Sequence, residues 1–475
     1  MRSIFSHLRR GAVLAAAAFT LAGCDQFLTG AAETEPGIDP NNPSVGVAAS
    51  TAAARLLFTG AQTSLLVLTG SDALRLTSLF SQQLEATGAA YEAIQLQYSI
   101  NESTTNGVFT GLYTGGGLVD MRRVQEQARL IGDSTLLGAS QIQEALLIGT
   151  GADLFGDLPY SQAFQNDNPA LDPQLQVYDS VQTLLTRAIT NLSRTGTTNV
   201  GPGGADVIYG VGYPVTPSAA QRATQRAKWT RLARTLKARF YLHTAEVRPN
   251  AYALALAEAE QGIVDPADNY QFTYSGSINE ENLSYQFNQV QRAGQIAPGR
   301  GLLALLQQRQ DPRLNTYFPL VSATGTAREL GLDFAEATAT QRIVTAQENL
   351  LIIAETAYRT GNQARALTAL QAAQDIAEVP KSAGLTGPAL LREILTEKYI
   401  ALFPSIEPWN DYKRTCFPNL TPTASGGRKI PARLFYDALE RQTNTSIPQP
   451  QDQPARNPND PANATDPFGN ACLGQ

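Results

Sequence analysis

Few side chains in this sequence have the chemistry of a catalytic or metal-binding group. The 475 residues include only three cysteines, Cys24, Cys416 and Cys472, and two histidines, His7 and His243. Nucleophilic catalysis by serine or cysteine needs a general base, and most zinc sites need several His or Cys ligands. In the body of the chain, any such scheme would depend on His243 alone. The composition therefore argues against an enzyme of these classes, and we expect no metal ion and no cofactor.

The chemistry that the sequence does predict is covalent attachment of lipid to Cys24. The leader has arginines near its start, a short apolar run over 11–22, and Leu21-Ala22-Gly23 directly before the cysteine. The apolar run is too short to span a bilayer, as is typical of a secretory signal. The segment resembles a bacterial lipobox, which implies removal of residues 1–23 and acylation of Cys24, so that lipid anchors the mature chain. The alternative is an ordinary secretory signal with an incidental cysteine.

Helical patterns dominate the chain after residue 50. Residues 24–50 are rich in Ala, Pro, Gly and Asn and predict a tether, whereas 51–475 predict one α-helical domain. In the long loops we expect a short β-hairpin over 201–219 and irregular chain over 264–298. No segment after the leader is apolar for long enough to predict a transmembrane helix. The candidate helices cover residues 51–68, 72–87, 104–127, 138–154, 175–193, 226–247, 250–262, 299–309, 344–359, 363–378, 388–403 and 431–440.

The segment 350–373 has the residue pattern of a tetratricopeptide repeat. Such a repeat places small residues where two helices cross and large apolar residues beside them. Weaker pairs of the same kind are predicted within 229–257 and 141–192, and generic helical hairpins are the alternative. The residues that carry the main pattern are Leu350, Ile353, Ala354, Gly361, Asn362, Ala366, Leu370 and Ala373.

The charge of the chain excludes one class of partner. The formal net charge is -6, and the body contains no basic stripe. A nucleic-acid-binding surface would need such a stripe to neutralise phosphates, so we expect no nucleic-acid partner. Because only 16% of the residues are charged, much of the surface polarity must come from Gln, Asn, Thr and Ser, which suits neutral polar ligands.

Five short motifs follow the leader in order along the chain. They are DPNN at 39–42, ADLFGDLPY at 152–160, DPRL at 311–314, EKY at 397–399 continuing to EPWNDYKR at 407–414, and RKIP at 428–431 with Glu440 and Asn444. Together, behind a lipobox, they resemble the SusD/RagB family of outer-membrane nutrient-binding lipoproteins. Departures are small: Leu158 stands where the family has Val, and Asp437 stands where a Pro often follows the Tyr.

This resemblance implies a fold and a function. The implied fold is mainly α, with tetratricopeptide-like helical pairs and long irregular loops. The implied protein is anchored to the cell outer membrane, faces the exterior, and acts as a lid on a TonB-dependent transporter. It captures oligosaccharides, or sometimes peptides, for import. The family has no catalytic residues to carry over.

Two stretches combine tyrosines with amide side chains, as sugar sites do, outside strongly apolar patterns. A solvated surface with tyrosines packed beneath it is the alternative for each stretch. The candidate ligand-binding residues are Gln82, Gln83, Tyr91, Tyr98 and Asn101 in the first stretch, and Asn282, Tyr285, Gln286, Asn288 and Arg292 in the second.

The motifs also allow local predictions. Gly156 is expected to end a helix in the left-handed conformation, and Trp409 to lie in the core, stacked on Arg414. In an oxidising compartment Cys416 and Cys472 favour a disulfide bond, which would contribute roughly 4 kcal/mol, with two buried free thiols as the alternative. The tail over 457–466 lacks the spacing of a calcium loop and is expected to form solvated turns.

Two other functions compete with the transporter lid. The first is a helical-repeat scaffold lipoprotein in envelope assembly, which would bind protein and show no affinity for glycans. The second is a glycoside hydrolase, because paired acids such as Glu280 and Glu281 occur in loops. A reducing-end assay would separate the hydrolase from a binding protein.

Overall fold

The computed structural model of the protein describes residues 51–424 and 429–460. Contacts group the chain into two units, and the second, which begins at Arg55, holds nearly all of the described residues. Of the first unit, only 51–54 are described. The described residues do not include the predicted signal peptide 1–23, the lipidation site Cys24, the tether 24–50, Arg428 or Cys472.

Helices form most of the described chain, and the mainly α fold class is confirmed. The helices before residue 260 are α1 (Thr51–Gly70), α2 (Asp72–Phe80), α3 (Ala89–Gln97), α4 (Glu102–Tyr113), α5 (Leu118–Leu130), α6 (Ser134–Phe155), α7 (Gln174–Leu192), α8 (Ala219–His243) and α9 (Ala251–Ala259). The later helices are α10 (Arg300–Arg309), α11 (Leu314–Tyr317), α12 (Ala346–Arg359), α13 (Gln363–Ile376), α14 (Gly387–Ala401), α15 (Glu407–Thr415) and α16 (Ala438–Thr443).

Helices α12 and α13 form the predicted tetratricopeptide-like pair. Gly361, between them, has a φ of 89°, which the tight turn requires and which glycine adopts without strain. The Asn362 side chain then caps α13 by accepting from the Arg365 amide at 3.0 Å. Ala354 and Ala366 are fully buried in the shared core. Their small side chains let the two helices approach, which is why the sequence pattern identified the pair.

The other paired helices continue this packing. Helix α6 packs on α7, α7 on α8, α8 on α9, and α9 on α12. Each helix therefore buries its apolar face between neighbours, as in repeat proteins. Helix α8 begins seven residues before its predicted start at 226, because Ser218 and Gln221 form a capping box there.

Two short antiparallel strand pairs join segments that are far apart in sequence. Strand β1 (Leu84–Ala86) pairs with β3 (Ile296–Pro298), and β2 (Tyr270–Thr273) pairs with β4 (Thr340–Val344). The first pair brings the two stretches of candidate ligand-binding residues beside each other.

The predicted β-hairpin over 201–219 is wrong. This segment forms turns and one short 3-10 helix, Gly203–Ala205. Asp206 organises the turns, since its buried carboxylate accepts hydrogen bonds from the Tyr209 amide and from the Trp229 indole at 2.9 and 2.8 Å. Backbone amides that would pair across the strands of a hairpin can instead donate to a buried carboxylate such as that of Asp206.

Three predicted helix boundaries are also wrong. The predicted helix 104–127 is two helices, α4 and α5, separated at Gly115 and Gly116, which have φ values of 56° and 94°. The predicted helix 72–87 ends at Phe80, because the chain turns at Gln82 with a φ of 56° and enters β1. The predicted helix 431–440 begins only at Ala438, where the Asp437 side chain provides the N-cap.

By length and composition alone, the stretch Thr51–Phe80 could cross a membrane. Of its most apolar window, 44% is buried inside the protein, and a core helix passes the same test. Phe58 and Leu65 from this stretch are fully buried in the protein core. The expectation that the mature chain has no transmembrane helix stays a prediction.

Candidate functional site

The sequence motifs meet one another in buried ion pairs. Arg313 of the DPRL motif contacts Asp311 at 2.7 Å and Glu397 of the EKY motif at 2.6 Å. The side chains of all three residues are at most 8% exposed. Removing one member would leave a buried charge without its partner, so the two motifs fix the position of α14 against the 311–314 turn.

A second buried cluster lies between α12, α14 and α15. The Lys398 ammonium contacts Glu355 and Asp411, each at 2.8 Å. The Arg414 guanidinium contacts the same two carboxylates, each at 2.7 Å. Burial acts to raise the pKa of Glu355, but Arg414 and Lys398 outweigh it and hold that pKa well below its usual range. The EKY and EPWNDYKR motifs therefore build the core.

The predicted environment of Trp409 is half correct. The side chain is fully buried, and its indole donates to the Pro431 carbonyl at 2.9 Å. The cation over its ring is Lys413, at 3.9 Å from the ring centroid. The prediction of Arg414 in that place is wrong, because the ion pairs of Arg414 with Glu355 and Asp411 hold it elsewhere.

The one histidine of the body lies between two carboxylates. His243 contacts Asp153 through Nδ1 at 2.7 Å and Glu407 through Nε2 at 2.9 Å. Burial acts to lower the pKa of His243, but the two carboxylates outweigh it and raise the pKa to about 9. An imidazolium with a carboxylate on each nitrogen has no free nitrogen to act as a base, and His243 is only 5% exposed. The arrangement is structural.

The expectation of solvated turns after residue 456 is wrong for the residues that the structure describes. Asn457, Asn459 and Asp460 are at most 6% exposed. The Asn457 amide donates to the Asp153 carbonyl at 2.7 Å, and the Asn459 amide donates to the His243 carbonyl at 3.1 Å. The segment closes over the His243 cluster. Gly156 ends α6 with a positive φ of 80°, but its ψ of -117° lies outside the predicted left-handed conformation. Asn457 packs directly against it.

Several candidate ligand-binding residues of the first stretch hold the structure together. The Gln82 amide donates to the Thr421 carbonyl at 2.5 Å, and Gln83 is fully buried with its amide on the Tyr399 carbonyl. The Tyr98 hydroxyl accepts from the Thr423 amide at 2.9 Å. The contacts of Gln82 and Tyr98 fix the 418–424 loop, and the burial of Gln82 and Gln83 leaves them little surface for a ligand.

Other candidates serve as helix caps. The exposed Asn101 caps α4 by accepting from the Ser103 and Thr104 amides at 3.0 and 3.2 Å. Asn282 caps the helical turn Leu283–Tyr285 and is 2% exposed. Such roles follow from the short polar side chain of Asn and need no ligand.

The structure brings Tyr91 and Arg292, one from each stretch, to a common surface. The Tyr91 ring meets the Phe287 ring edge to face, with 5.4 Å between centroids. The Arg75 guanidinium lies over the Phe287 ring, with 4.0 Å between its Cζ atom and the ring centroid. Burial raises the pKa of Tyr91, and the neighbouring Arg75 and Arg292 act against that rise. We call these four residues the Tyr91 surface.

The rest of the second stretch flanks the Tyr91 surface along the π-helix Gln286–Gln291. Tyr285, Gln286 and Asn288 are half-buried, and Asn288 donates to the Phe334 carbonyl at 3.3 Å. The sequence did not indicate Arg75 or Phe287. Arg75 lies within a helical pattern, and only the pairing of β1 with β3 places it beside residue 287.

Three further sequence predictions concern the disulfide bond, the loop acids and metal binding. Cys416 is disulfide-bonded, but Cys472 lies outside the described residues, so their pairing with each other stays a prediction. Glu280 is exposed and accepts from the Ser275 hydroxyl at 2.6 Å. Among the described residues, no group of three or more His, Cys, Asp or Glu side chains is arranged to hold a metal ion.

A family model of SusD-like proteins, described as starch-binding and associating with the outer membrane, matches residues 45–359. The match covers more than half of the chain, and the chain therefore belongs to the SusD-like family. The resemblance of the motifs to the SusD/RagB family is confirmed. A search of curated proteins gives no significant match.

Solved structures of the same family share the fold. A SusD/RagB family protein from Bacteroides thetaiotaomicron is 21% identical, with a TM-score of 0.66 over 83% of this chain and 95% of that one. A chitin-binding SusD homolog from Flavobacterium johnsoniae is 17% identical, with a TM-score of 0.69 over 87% of this chain and 98% of that one. At these sequence identities the similarity shows that the fold is shared, and it does not identify the ligand of this protein.

Proposed function

We propose that this protein binds oligosaccharides at the outer membrane and delivers them, as a lid, to a TonB-dependent transporter. The match of residues 45–359 to a family described as starch-binding and associating with the outer membrane is the observation that carries the proposal. The chitin-binding homolog with the same fold supports the same ligand class. Peptides are the alternative nutrient.

The Tyr91 surface is the part of the protein that we propose contacts the ligand. Sugar rings present C–H faces that pack on aromatic rings and hydroxyls that bind guanidinium and amide groups. Tyr91 is half-buried and Arg292 is exposed, so both can reach a ligand. Phe287 and Arg75 lie beneath them and are 5% and 7% exposed. Their packing holds Tyr91 in place before a ligand arrives, which reduces the entropy lost on binding.

Calorimetric titration of the mature protein with maltoheptaose and with chitohexaose tests this function. We expect saturable binding without turnover, and the Tyr91→Ala variant should bind about tenfold more weakly. Tyr213→Ala is the matched control, because Tyr213 is a half-buried tyrosine in the 201–219 segment. Equal loss in both variants would show a general effect on folding and would remove Tyr91 from the site.

A charge-matched pair of variants tests the second contact. Arg292→Ala should weaken binding, whereas Arg194→Ala, which removes an exposed arginine after α7, should leave it unchanged. Release of new reducing ends from either oligosaccharide would contradict a pure binding function and favour a hydrolase.

The partner and location are part of the proposal. Lipid on Cys24 would hold the protein at the outer membrane, where it would face the exterior above the barrel. Co-purification with a TonB-dependent transporter from extracted outer membranes tests this part independently of the ligand.

A further inference from the structure

A pocket of about 460 Å³ lies outside the Tyr91 surface, between the end of α4 and the 159–169 loop. Its lining includes Tyr113, Phe164, Gln165, Asn166, Asp167 and Glu440. None of these residues belongs to the ion-pair clusters of the family motifs or to the Tyr91 surface. The volume suits one or two sugar rings.

Phe164 is held in a conformation that its residue type avoids. Its φ is 65°, in the left-handed region, and its side chain is 53% exposed. A bulky residue at positive φ is strained, and such strain persists only where the surroundings impose it. Burial of the ring does not explain the strain, since half of the side chain faces solvent at the pocket.

Hydrogen bonds hold the loop directly before Phe164. The Arg122 guanidinium donates to the Ala163 carbonyl at 3.1 Å and to the Tyr160 carbonyl at 2.9 Å. The Asp172 carboxylate accepts from the Ser161 amide at 2.5 Å. These contacts fix the backbone of residues 160–163, which presents the exposed Phe164 ring at the pocket. A backbone fixed before the ligand arrives reduces the entropy lost on binding.

Tyr113, at the end of α4, lines the pocket opposite the loop. The Tyr113 oxygen is buried and has no hydrogen-bond partner among the described residues. A buried hydroxyl without a partner is unfavourable. Because solvent does not reach this oxygen, a ligand in the pocket would contact it only after the Tyr113 side chain moves. Burial and the nearby Glu440 raise the pKa of Tyr113 well above its ordinary value, and the hydroxyl therefore stays protonated as a donor.

The charges of the pocket select among ligands. Asp167 and Glu440 contribute carboxylates, and none of the described lining residues is an arginine or a lysine. Arg122, below the loop, is already used by two carbonyls and by Glu144 at 3.4 Å. An anionic ligand would meet uncompensated repulsion, whereas sugar hydroxyls can donate to carboxylates and to the Gln165 and Asn166 oxygens.

We propose that the pocket beside Phe164 is a second binding site for a neutral carbohydrate, in which a sugar ring stacks on Phe164 and sugar hydroxyls donate to the Asp167 and Glu440 carboxylates. This site is separate from the proposed site at Tyr91, and carbohydrate binding at each site can be tested independently of the other.

A reporter within the pocket tests the proposal. Phe164 is replaced by 4-fluorophenylalanine, and its ¹⁹F resonance is followed while maltoheptaose, chitohexaose, xylohexaose or mannohexaose is added at millimolar concentration. The same label at Phe272, a half-buried phenylalanine of β2, is the control. We expect a saturable shift at position 164 only, and the shift should persist in the Tyr91→Ala background.

A second pair of variants separates binding from stability. Phe164→Gly removes the ring and relieves the strain, so its melting temperature should not fall, while carbohydrate affinity at this site should fall about tenfold. Gln310→Gly relieves the same strain at a φ of 52° elsewhere and should not change affinity.

The outcomes distinguish the two proposed sites. No shift at position 164 with any of the four oligosaccharides overturns the second site, whether or not calorimetry detects binding at Tyr91. A shift produced by mixed di- and tripeptides and by none of the sugars also overturns it. A shift at position 164 together with unchanged carbohydrate affinity of the Tyr91→Ala variant supports the second site and contradicts ligand binding at the Tyr91 surface.

Discussion

Stability should fall as the pH rises through the titration of His243. The histidine has a pKa of about 9 in the folded protein and 6.5 as an ordinary side chain. At about 1.36 kcal/mol per pKa unit, this difference corresponds to roughly 3 kcal/mol of folding free energy. Because the folded pKa is the higher one, the full contribution is present below pH 6.5 and is lost as the pH rises through about 9.

Other charged groups surround His243. Asp153 and Glu407 contact its ring, and Lys413 and Asp460 face the same cluster from α15 and the C-terminal segment. Burial lowers the pKa of Lys413, so the titration of Lys413 has the opposite effect on stability. A pH profile of the wild type alone would mix these contributions.

The His243→Gln variant isolates the histidine. Urea unfolding of both proteins is measured from pH 6 to pH 10, and the difference in unfolding free energy is plotted against pH. We expect the variant to be less stable at pH 6 and the difference to shrink by roughly 3 kcal/mol by pH 10. A difference that is independent of pH would refute the buried imidazolium, because packing losses do not titrate.

Other perturbations have expected outcomes in the same assay. Glu355→Gln removes a buried charge that faces a lysine and an arginine, and should cost roughly 3–5 kcal/mol; a loss below about 1 kcal/mol would mean that the cluster rearranges. Gly149→Ala would place a Cβ atom 2.2 Å from the Phe240 ring and should cost about 1–3 kcal/mol, whereas Gly111→Ala, with open space around it, should be neutral or stabilising. Cys416→Ser should cost about 2–4 kcal/mol under non-reducing conditions, with no difference from the wild type after reduction, and peptide mapping would identify the bonded cysteine.

Local patterns in the sequence predicted the helices that are determined by neighbouring residues, such as turn glycines and small residues at helix crossings. The α12–α13 pair was predicted because Ala354 and Ala366 mark its crossing and Gly361 its turn. The break between α4 and α5 was missed, although three consecutive glycines follow residue 114. Helix α15 was missed because its sequence, EPWNDYKRT, places charged and polar residues around Trp409 and Tyr412. Its charges are buried in ion pairs with distant residues, and a hydrophobic period does not show such burial.

The candidate site depended more strongly on distant pairing. Tyr91 and Arg292 were both predicted, but their proximity comes from the three-residue strands β1 and β3, which are too short to give a pattern. The same pairing brings in Phe287 and Arg75. By contrast, Gln82, Gln83, Tyr98, Asn101 and Asn282 have the residue types of a sugar site and serve as caps and loop anchors. Residue type alone does not separate these roles.

Association with an outer-membrane transporter is the part of the proposed function that separates a carbohydrate-binding lid from a scaffold lipoprotein. The most direct measurement is mild detergent extraction of native outer membranes, affinity capture of this protein, and quantitative mass spectrometry of what accompanies it. We expect a TonB-dependent transporter in stoichiometric amount. Capture of other envelope proteins alone, or recovery of the protein from the inner membrane, would contradict it and favour the scaffold function.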